Sequence, residues 1–266
     1  KASFDLAREF EQSMADVSAI TGATGEDLQN LTELARDMGA TTAHSATAAA
    51  EGIQFLGMAG LDTDQIMAAL PGTLSLASAA GMELGQAADI STNILSGMGM
   101  AVSELDTVVD KLAQASRSSN TDVIQMGEAF KMVGPTASAA GVSFDDTATA
   151  LGLLASAGQA GSIGGSSLNS ALRAMLAPSK AAEQEAAKLG LTFVDTNGKM
   201  LPMTNILQQL DDKSVSTKQS FEIFGTEGAR AINSLRNQGV SAFTALDKKI
   251  KESGGVAEDM AKTRLG

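Results

Sequence analysis

No cysteine, tryptophan or tyrosine occurs in the sequence, and histidine occurs once. Without cysteine there are no disulfides and no thiolate chemistry, while the redox compartment is left open. A single histidine makes a conventional nucleophile–histidine–carboxylate triad hard to assemble. Aromatic residues are 3% of the chain, so a core must be filled by Ala, Gly, Leu and the 13 methionines. Such side chains let helices approach closely, but each contact is small and pliable, and modest stability per residue is expected. Cations are scarce as well: 19 Lys and Arg stand against 31 Asp and Glu, for a net charge of −12. Binding phosphates needs clustered Lys and Arg, so sequence-specific nucleic acid is not an expected partner. The chain opens on Lys1 with no apolar signal run behind it, the pattern of an internal segment of a longer protein.

What is present is helical periodicity, cut short again and again by Gly, Pro and capping residues. Phe4, Ala7, Phe10, Met14 and Val17 share one face, and Leu28, Leu31, Leu34 and Met38 another, the latter opened by Thr24 with Asp27. Ser45 opens a helix through Ala49, Ile53 and Leu56, and Asp62-Thr63-Asp64 opens one through Ile66 and Leu70. Pro71 bends or restarts that helix. Ser103 with Asp106 caps the stretch holding Leu105, Val108 and Leu112. Thr121 caps a helix through Ile124, Phe130 and Val133 that Gly134-Pro135 stops, and Ser143 with Asp146 caps the next. After a glycine-rich turn at Gly158–Gly165, Ser166 or Ser167 opens a third helix carrying Leu168, Leu172 and Met175. ASAAG at Ala77–Gly81 returns at Ala137–Gly141 in similar surroundings, and Gly39–Gly60 resembles a third, diverged copy.

Past Pro178 the texture changes. Ser179–Leu189 reads as a charged, Ala-rich helix, and Asn197-Gly198 between Thr192–Val194 and Lys199–Leu201 signals a type I′ hairpin. Short helices follow around Ile206–Leu210, at Phe221–Phe224 ending in Gly225, at Ala229–Leu235 and at Phe243–Ile250. Beyond Ser253-Gly254-Gly255 the helical signal is weak. The expectation is an all-α chain of short, glycine-punctuated helices with one β-hairpin near residues 192–201. Its segments are 1–178, a helical-hairpin domain; 179–253, a helical subdomain carrying the β-hairpin; and 254–266, a linker or helix start.

No residue pattern points to catalysis, a cofactor or a metal. Gly158–Gly165 has phosphate-loop spacing, but a phosphate loop needs a preceding strand and a Lys. Here an Ala-rich helix precedes it and the nearest cation is Arg173. Ser162 and Ser166 have no His or Lys partner near in sequence, and His44 stands alone beside a helix cap, as a solvated or capping residue. Asp145-Asp146 and Asp211-Asp212 sit at helix ends, where carboxylates favour the macrodipole or end a helix. Asp195-x-Asn197 looks faintly like a calcium loop, but Gly198 fits the turn better. Gln65–Met82 and Thr147–Leu172 are uncharged, yet Ser, Thr, Gly and Pro71 dilute them, so buried helices are expected over membrane spans. The GxxxG spacings Gly81/Gly85 and Gly161/Gly165 are the candidate close contacts between chains or with a partner.

The run SNTDV at Ser119–Val123, GEAFK at Gly127–Lys131 and the following Gly134-Pro135 resemble the TP901-type tape measure proteins of tailed bacteriophages. So do Met58–Ala77, Leu189–Met203 and the Phe224-Gly225 followed by A-x-x-x-L to Leu235, all in the expected order. Leu61 stands where that family often has Trp, Met98 where it often has Phe, and the glycine-rich turn lacks the usual basic residue. The resemblance implies a structural tail protein, not an enzyme. It implies several copies in the tail lumen or at the tail tip, setting tail length in assembly and leaving ahead of the DNA. The partners so implied are further copies of the chain, tail tube and tail tip or baseplate proteins, and tail assembly chaperones in the host cytoplasm. The host inner membrane joins them if the segment is a membrane-active module aiding DNA passage. A phage-derived tail-like particle is the alternative setting. With so few large side chains, the segment is expected to be stable mainly as a homo-oligomer or docked on tail proteins.

Overall fold

The computed structural model describes residues 2–265, and side chains within 5–264. Among these residues the chain is all-helical, 79% helix in fourteen α-helices, with no strand. Packing divides it into two units. The first holds the residues up to Leu95, Met100–Asp110 and those from Gly255 on; the second holds Ser96–Gly99 and Lys111–Gly254. The second unit is thus inserted in the sequence of the first. Segmentation at residues 178 and 253 follows composition, whereas packing joins helices on both sides of Pro178.

The first unit contains α1 (Ala2–Thr21), α2 (Gly25–Thr41), α3 (Ala46–Met58), α4 (Thr63–Ala80), most of α5 (Leu84–Met98), the start of α6 (Leu105–Arg117), and the last helix, α14 (Val256–Leu265). The faces read from periodicity turn inward: Met14 and Val17, Leu31 and Ala35, Ile53 and Leu56, and Ile66, Leu70 and Leu74 are buried. The side chain of Phe4 lies outside the described residues. Phe10 carries the Arg36 guanidinium 5.3 Å above its ring. Ser45 caps α3 by accepting from the Ala48 amide, and Asp62 caps α4 in a reciprocal box with Gln65. Thr24 makes no side-chain cap, and Ser103 lies in a short 3-10 turn ahead of α6, where the Ala101 amide donates to Glu104.

The second unit contains α7 (Val123–Ala140), α8 (Phe144–Ser156), α9 (Gly161–Leu176), α10 (Lys180–Leu189), α11 (Met203–Asp212), α12 (Thr217–Gln238) and α13 (Val240–Lys251). Asp122, not Thr121, caps α7, its carboxylate accepting from the Gln125 amide at 2.8 Å. Ser143 caps α8 as expected. Phe130 and Phe144 stack at 4.7 Å with planes 6° apart, and Phe193 meets Phe224 at 5.5 Å.

Both prolines expected to interrupt helices are carried inside them. Helix α4 runs through Pro71 and α7 through Pro135. An interior proline costs about 3 kcal/mol. Fully buried Leu70 and Leu74 flank Pro71, and fully buried Phe130 and Val133 precede Pro135, with Ala137 buried after it. Burying each such side chain gains about 1.5–3 kcal/mol, so packing outweighs the lost hydrogen bond. At Pro135 the neighbouring helix passes closely, since a methyl on Gly97 would touch the proline ring at 3.5 Å, an ordinary packing contact.

The repeat is legible in three dimensions. Helices α4 and α7 are each 18 residues long, start sixty positions apart, and end in left-handed glycines, Gly81 (φ 64°) and Gly141 (φ 74°). The next amides, Met82 and Val142, return to the carbonyls of Ala77 and Ala137, the bond of a Schellman ending. Each is preceded by a 13-residue helix, α3 or α6, and followed by one of similar length, α5 or α8. Gly39–Gly60, read as a third copy, holds the end of α2 and α3, the leading helix of the first set.

Three local expectations are corrected. The hairpin near residues 192–201 does not form: a single antiparallel bridge joins Val194 and Met200. Gly198 has φ 78° but Asn197 does not have positive φ, and a type I′ turn needs both. The Asp195 carboxylate instead accepts from the amides of Asn197 and Lys199, making an Asx-type loop, and the Met200 amide leaves the bridge for the Ala140 carbonyl. Next, α9 begins at Gly161, so Ser166 and Ser167 lie within it rather than capping it. Finally, the weak signal after Gly255 becomes α14, packed on α4.

Helix α12 does break where the Phe224-Gly225 pair suggests. Gly225 has φ 69° and ψ 178°, a region open essentially to glycine alone. Gly225→Ala is therefore expected to lower the urea unfolding free energy by about 1–3 kcal/mol. Gly254→Ala, with no atom within 4 Å of the added carbon and no positive φ, should change it by less than about 0.5 kcal/mol. Equal effects of the two would refute a strained role for Gly225.

Candidate functional site

The second unit is built on a seam where α9 lies between α7 and α12. A methyl on Gly165 would lie 2.8 Å from the Ala129 Cα, and nearer still to its carbonyl oxygen. On the far side a methyl on Gly228 of α12 would lie 3.0 Å from the Ala171 Cα. Gly161 faces Gln125 and Gly165 faces Ala129, so α7 and α9 run in the same direction. One buried polar network locks the seam. The Gln159 carboxamide accepts from Ser167 at 3.0 Å and donates to Ser234 at 2.7 Å. Gln159 is 7% exposed, and its partners satisfy both ends of the amide.

This geometry removes the anion-loop reading of the glycine-rich turn. The amides of Ala157, Gly158 and Gln159 all return to carbonyls of α8, and Gly161, Gly164 and Gly165 lie in α9. Those three donors are already used, and Gly164 and Gly165 lie too close to neighbouring backbone for a side chain. Ser162 is exposed and Ser166 half-buried.

The other sequence candidates are structural ties. Asp211 pairs with Arg236 at 2.9 Å, and Arg236 also donates to the Val215 carbonyl at 2.8 Å. Asp212 accepts from Gln208. Asp195 closes its own loop, and the amides of Lys199 and then Asn197 hold its carboxyl below the usual range. His44 is neither solvated nor a cap. It is half-buried, with Nε2 2.8 Å from the Ser78 hydroxyl and 3.2 Å from the Leu74 carbonyl. It borders a cleft of about 340 Å³ with Pro71, Ser78, Glu258 and Lys262. Glu258 and Lys262 pair at 2.6 Å, and each moves the other's pKa, the carboxyl down and the ammonium up. Among the described residues no three His, Cys, Asp or Glu side chains gather where a metal could bind.

Of the glycines proposed for contact, Gly165 is buried against α7 within the chain, and Gly85 faces the Phe55 ring, 3.0 Å from where a methyl on it would lie. Gly81 is exposed beneath Arg264, and Gly161 is half-buried with nothing nearer than 3.9 Å to an added methyl. Gln159, Arg236 and Asp110 were not visible as key residues. Gln159 alone carried a signal, as the polar residue with the largest side chain in the uncharged run up to Asn169.

Asp145 pairs with Lys111 at 2.6 Å and Asp247 with Lys251 at 2.7 Å. Asp146 is left beside them with its pKa raised. Burial is the main cause and Asp247 the next; Lys251 and the Ser143 hydroxyl oppose the shift, and Asp145 adds to it.

A family model described as phage-related minor tail protein matches residues 32–226. The chain is 32% identical over 268 residues to the tape measure protein of Pneumococcus phage Dp-1, covering 98% of this chain and 23% of that protein. It is 28% identical over 269 residues to the probable tape measure protein of Escherichia phage P2, covering 94% and 33%. A probable tape measure protein of Clostridium phage phiCD119 is 25% identical over 260 residues, covering 89% and 26%. The chain thus spans a quarter to a third of the length of these curated relatives. No solved structure matches.

Two outcomes follow from this geometry. Gly165→Ala drives a methyl into the backbone of α7, and overpacking of that kind costs about 1–3 kcal/mol; an unchanged urea midpoint would show that the helices do not meet there. For Asp146 the folded pKa lies above 3.8, so the folded state binds more protons between the two values and stability falls as pH rises through that window. Asp146→Asn is expected to raise the melting temperature at pH 7. That gain should fade as pH falls through the same window and be gone below about 3.8, the ordinary Asp value.

Proposed function

The chain belongs to the phage-related minor tail protein family, and from that premise we propose that it is the folded helical module of a tape measure protein. The observation that carries this is the alignment of 98% of the chain with a tape measure protein. The module acts in tail assembly through contacts with further copies and with tail tube, tail tip or baseplate proteins. Assembly chaperones hold it in the host cytoplasm before it enters the tail lumen or tip, and it leaves ahead of the DNA.

The helix lengths support a module in place of a ruler. A length gauge calls for long continuous helix with an unbroken heptad seam. The longest helix here has 22 residues and is broken at Gly225, and each residue of helix extends only about 1.5 Å. An in-frame deletion of these residues in a phage should therefore block tail assembly. Tails that still assemble, shortened in proportion to the residues removed, would show that the segment is itself ruler.

For direct membrane action, no described helix is long and apolar enough to cross a bilayer. Dye leakage from anionic vesicles on adding the isolated chain would favour that reading nonetheless. In sedimentation, self-association predicts a molecular mass and a melt that depend on concentration. A monomer with an unchanged cooperative melt over a hundredfold dilution would remove self-association from the proposal.

A further inference from the structure

Helix α14 reaches the first unit only after the chain has passed through the whole second unit, and one side chain receives it there. Asp110, at the last position of the first unit before the insertion, accepts from the Gly255 amide at 2.8 Å through Oδ2. Its Oδ1 accepts from the Ala257 amide at 2.9 Å. These are two of the donors that a helix start leaves without intrahelical partners. Gly255 has no side chain to cap them, so the cap comes from a residue 145 positions earlier in the chain. The far end of α14 lies at the end of α4, where Arg264 sits over Gly81. Asp106, one turn before Asp110, lies against Gly72. Helices α4 and α14 therefore run in the same direction, as α7 and α9 do.

The two pairings differ in how firmly they are made. Helix α9 buries Leu168, Ala171, Leu172 and Met175 and meets α7 backbone to backbone. Among its described side chains α14 buries only Ala257; Val256, Met260 and Ala261 are half-buried and the rest exposed. The cleft beside His44 and Pro71 lies along its contact with α4 and leaves that seam incompletely filled. A ten-residue helix is marginal alone, so α14 depends on its cap and its docking. The chain ahead of it, Gly254-Gly255, has no atom within 4 Å of either glycine's missing side chain, and the Gly255 amide is held by Asp110.

We infer that α14 is a displaceable strap over α4, closed by the Asp110 carboxylate, whose opening uncovers the Pro71–Ser78 side of α4 while the second unit stays folded. The strap holds together the two points at which the chain enters and leaves the insertion. It is a conformational device of the first unit and stands whether or not the chain acts in a phage tail.

Native-state hydrogen exchange on the full chain tests it. In D110A, amides of α14 and of α4 from Gly72 onward should exchange at least tenfold faster, with those of α7 and α9 unchanged. D110N keeps one acceptor oxygen and should fall between. Unaltered exchange in α14, or equal acceleration in both units, would overturn the inference. Should D110A fail to fold, the unaltered chain decides. At low denaturant α14 should open in a step with weaker denaturant dependence than that of α7, and one shared opening step for α14 and α7 would refute a separate strap.

Discussion

The approach of α9 to the bare backbone of α7, at Gly165 and Ala129, is the constraint on which the second unit depends. A chain with nine Phe and no Trp or Tyr cannot fill wide gaps between helices. It can remove the gaps instead, and glycine does so by letting backbone atoms touch. Each interior helical glycine costs about 1 kcal/mol relative to alanine, and α9 and α12 carry Gly164, Gly165 and Gly228 in such positions. The cost is offset by many short-range contacts along two seams at once. Backbone contact also demands an exact register between helices. The Gln159 network supplies a polar lock, because sliding α9 or α12 by one turn would strand a buried amide without Ser167 or Ser234.

The same plan appears twice along the chain, with different finish. A 13-residue helix, an 18-residue helix ending in a left-handed glycine, and a third helix recur sixty positions apart, and each 18-residue helix receives a parallel neighbour. For α7 that neighbour is the adjacent α9, rich in glycine and fully docked. For α4 it is α14, which arrives from the far end of the chain and holds by a carboxylate cap and one buried alanine. Local contacts form at small entropic cost, whereas closing α4 with α14 waits on the long intervening chain. The two units therefore meet different folding requirements with nearly the same helices.

Helical class and the inward faces were legible because apolar spacing is a local property. Phe130, Val133, Leu168 and Leu172 show it, and so does the break at Gly225. What was not legible depends on distant partners. Pro71 and Pro135 look like helix ends until the buried side chains on both flanks are counted. Asn197-Gly198 has the letters of a hairpin turn, but the Asp195 carboxylate and the Ala140 carbonyl take the amides that a ladder would need. Asp110 reads as one more surface acid on a helix, and only a contact 145 positions away gives it a role. Gly165 reads as part of a loop because the backbone of α7 that excludes a side chain there is absent from the local sequence.

The acidity of the chain has a structural reading. Many short helices mean many helix starts, and each start leaves amide donors and a partial positive charge. Asp62 and Asp122 meet that demand as caps, and Ser45, Ser143, Ser179 and Ser216 meet it with hydroxyls. Asp5, Asp64, Asp145, Asp146, Glu183 and Glu258 stand in first turns, while Arg117, Arg173, Lys188 and Arg236 stand in last turns. Polar side chains are thus distributed among helix ends, some capping backbone amides and others, such as Asp145 and Glu258, paired with Lys111 and Lys262.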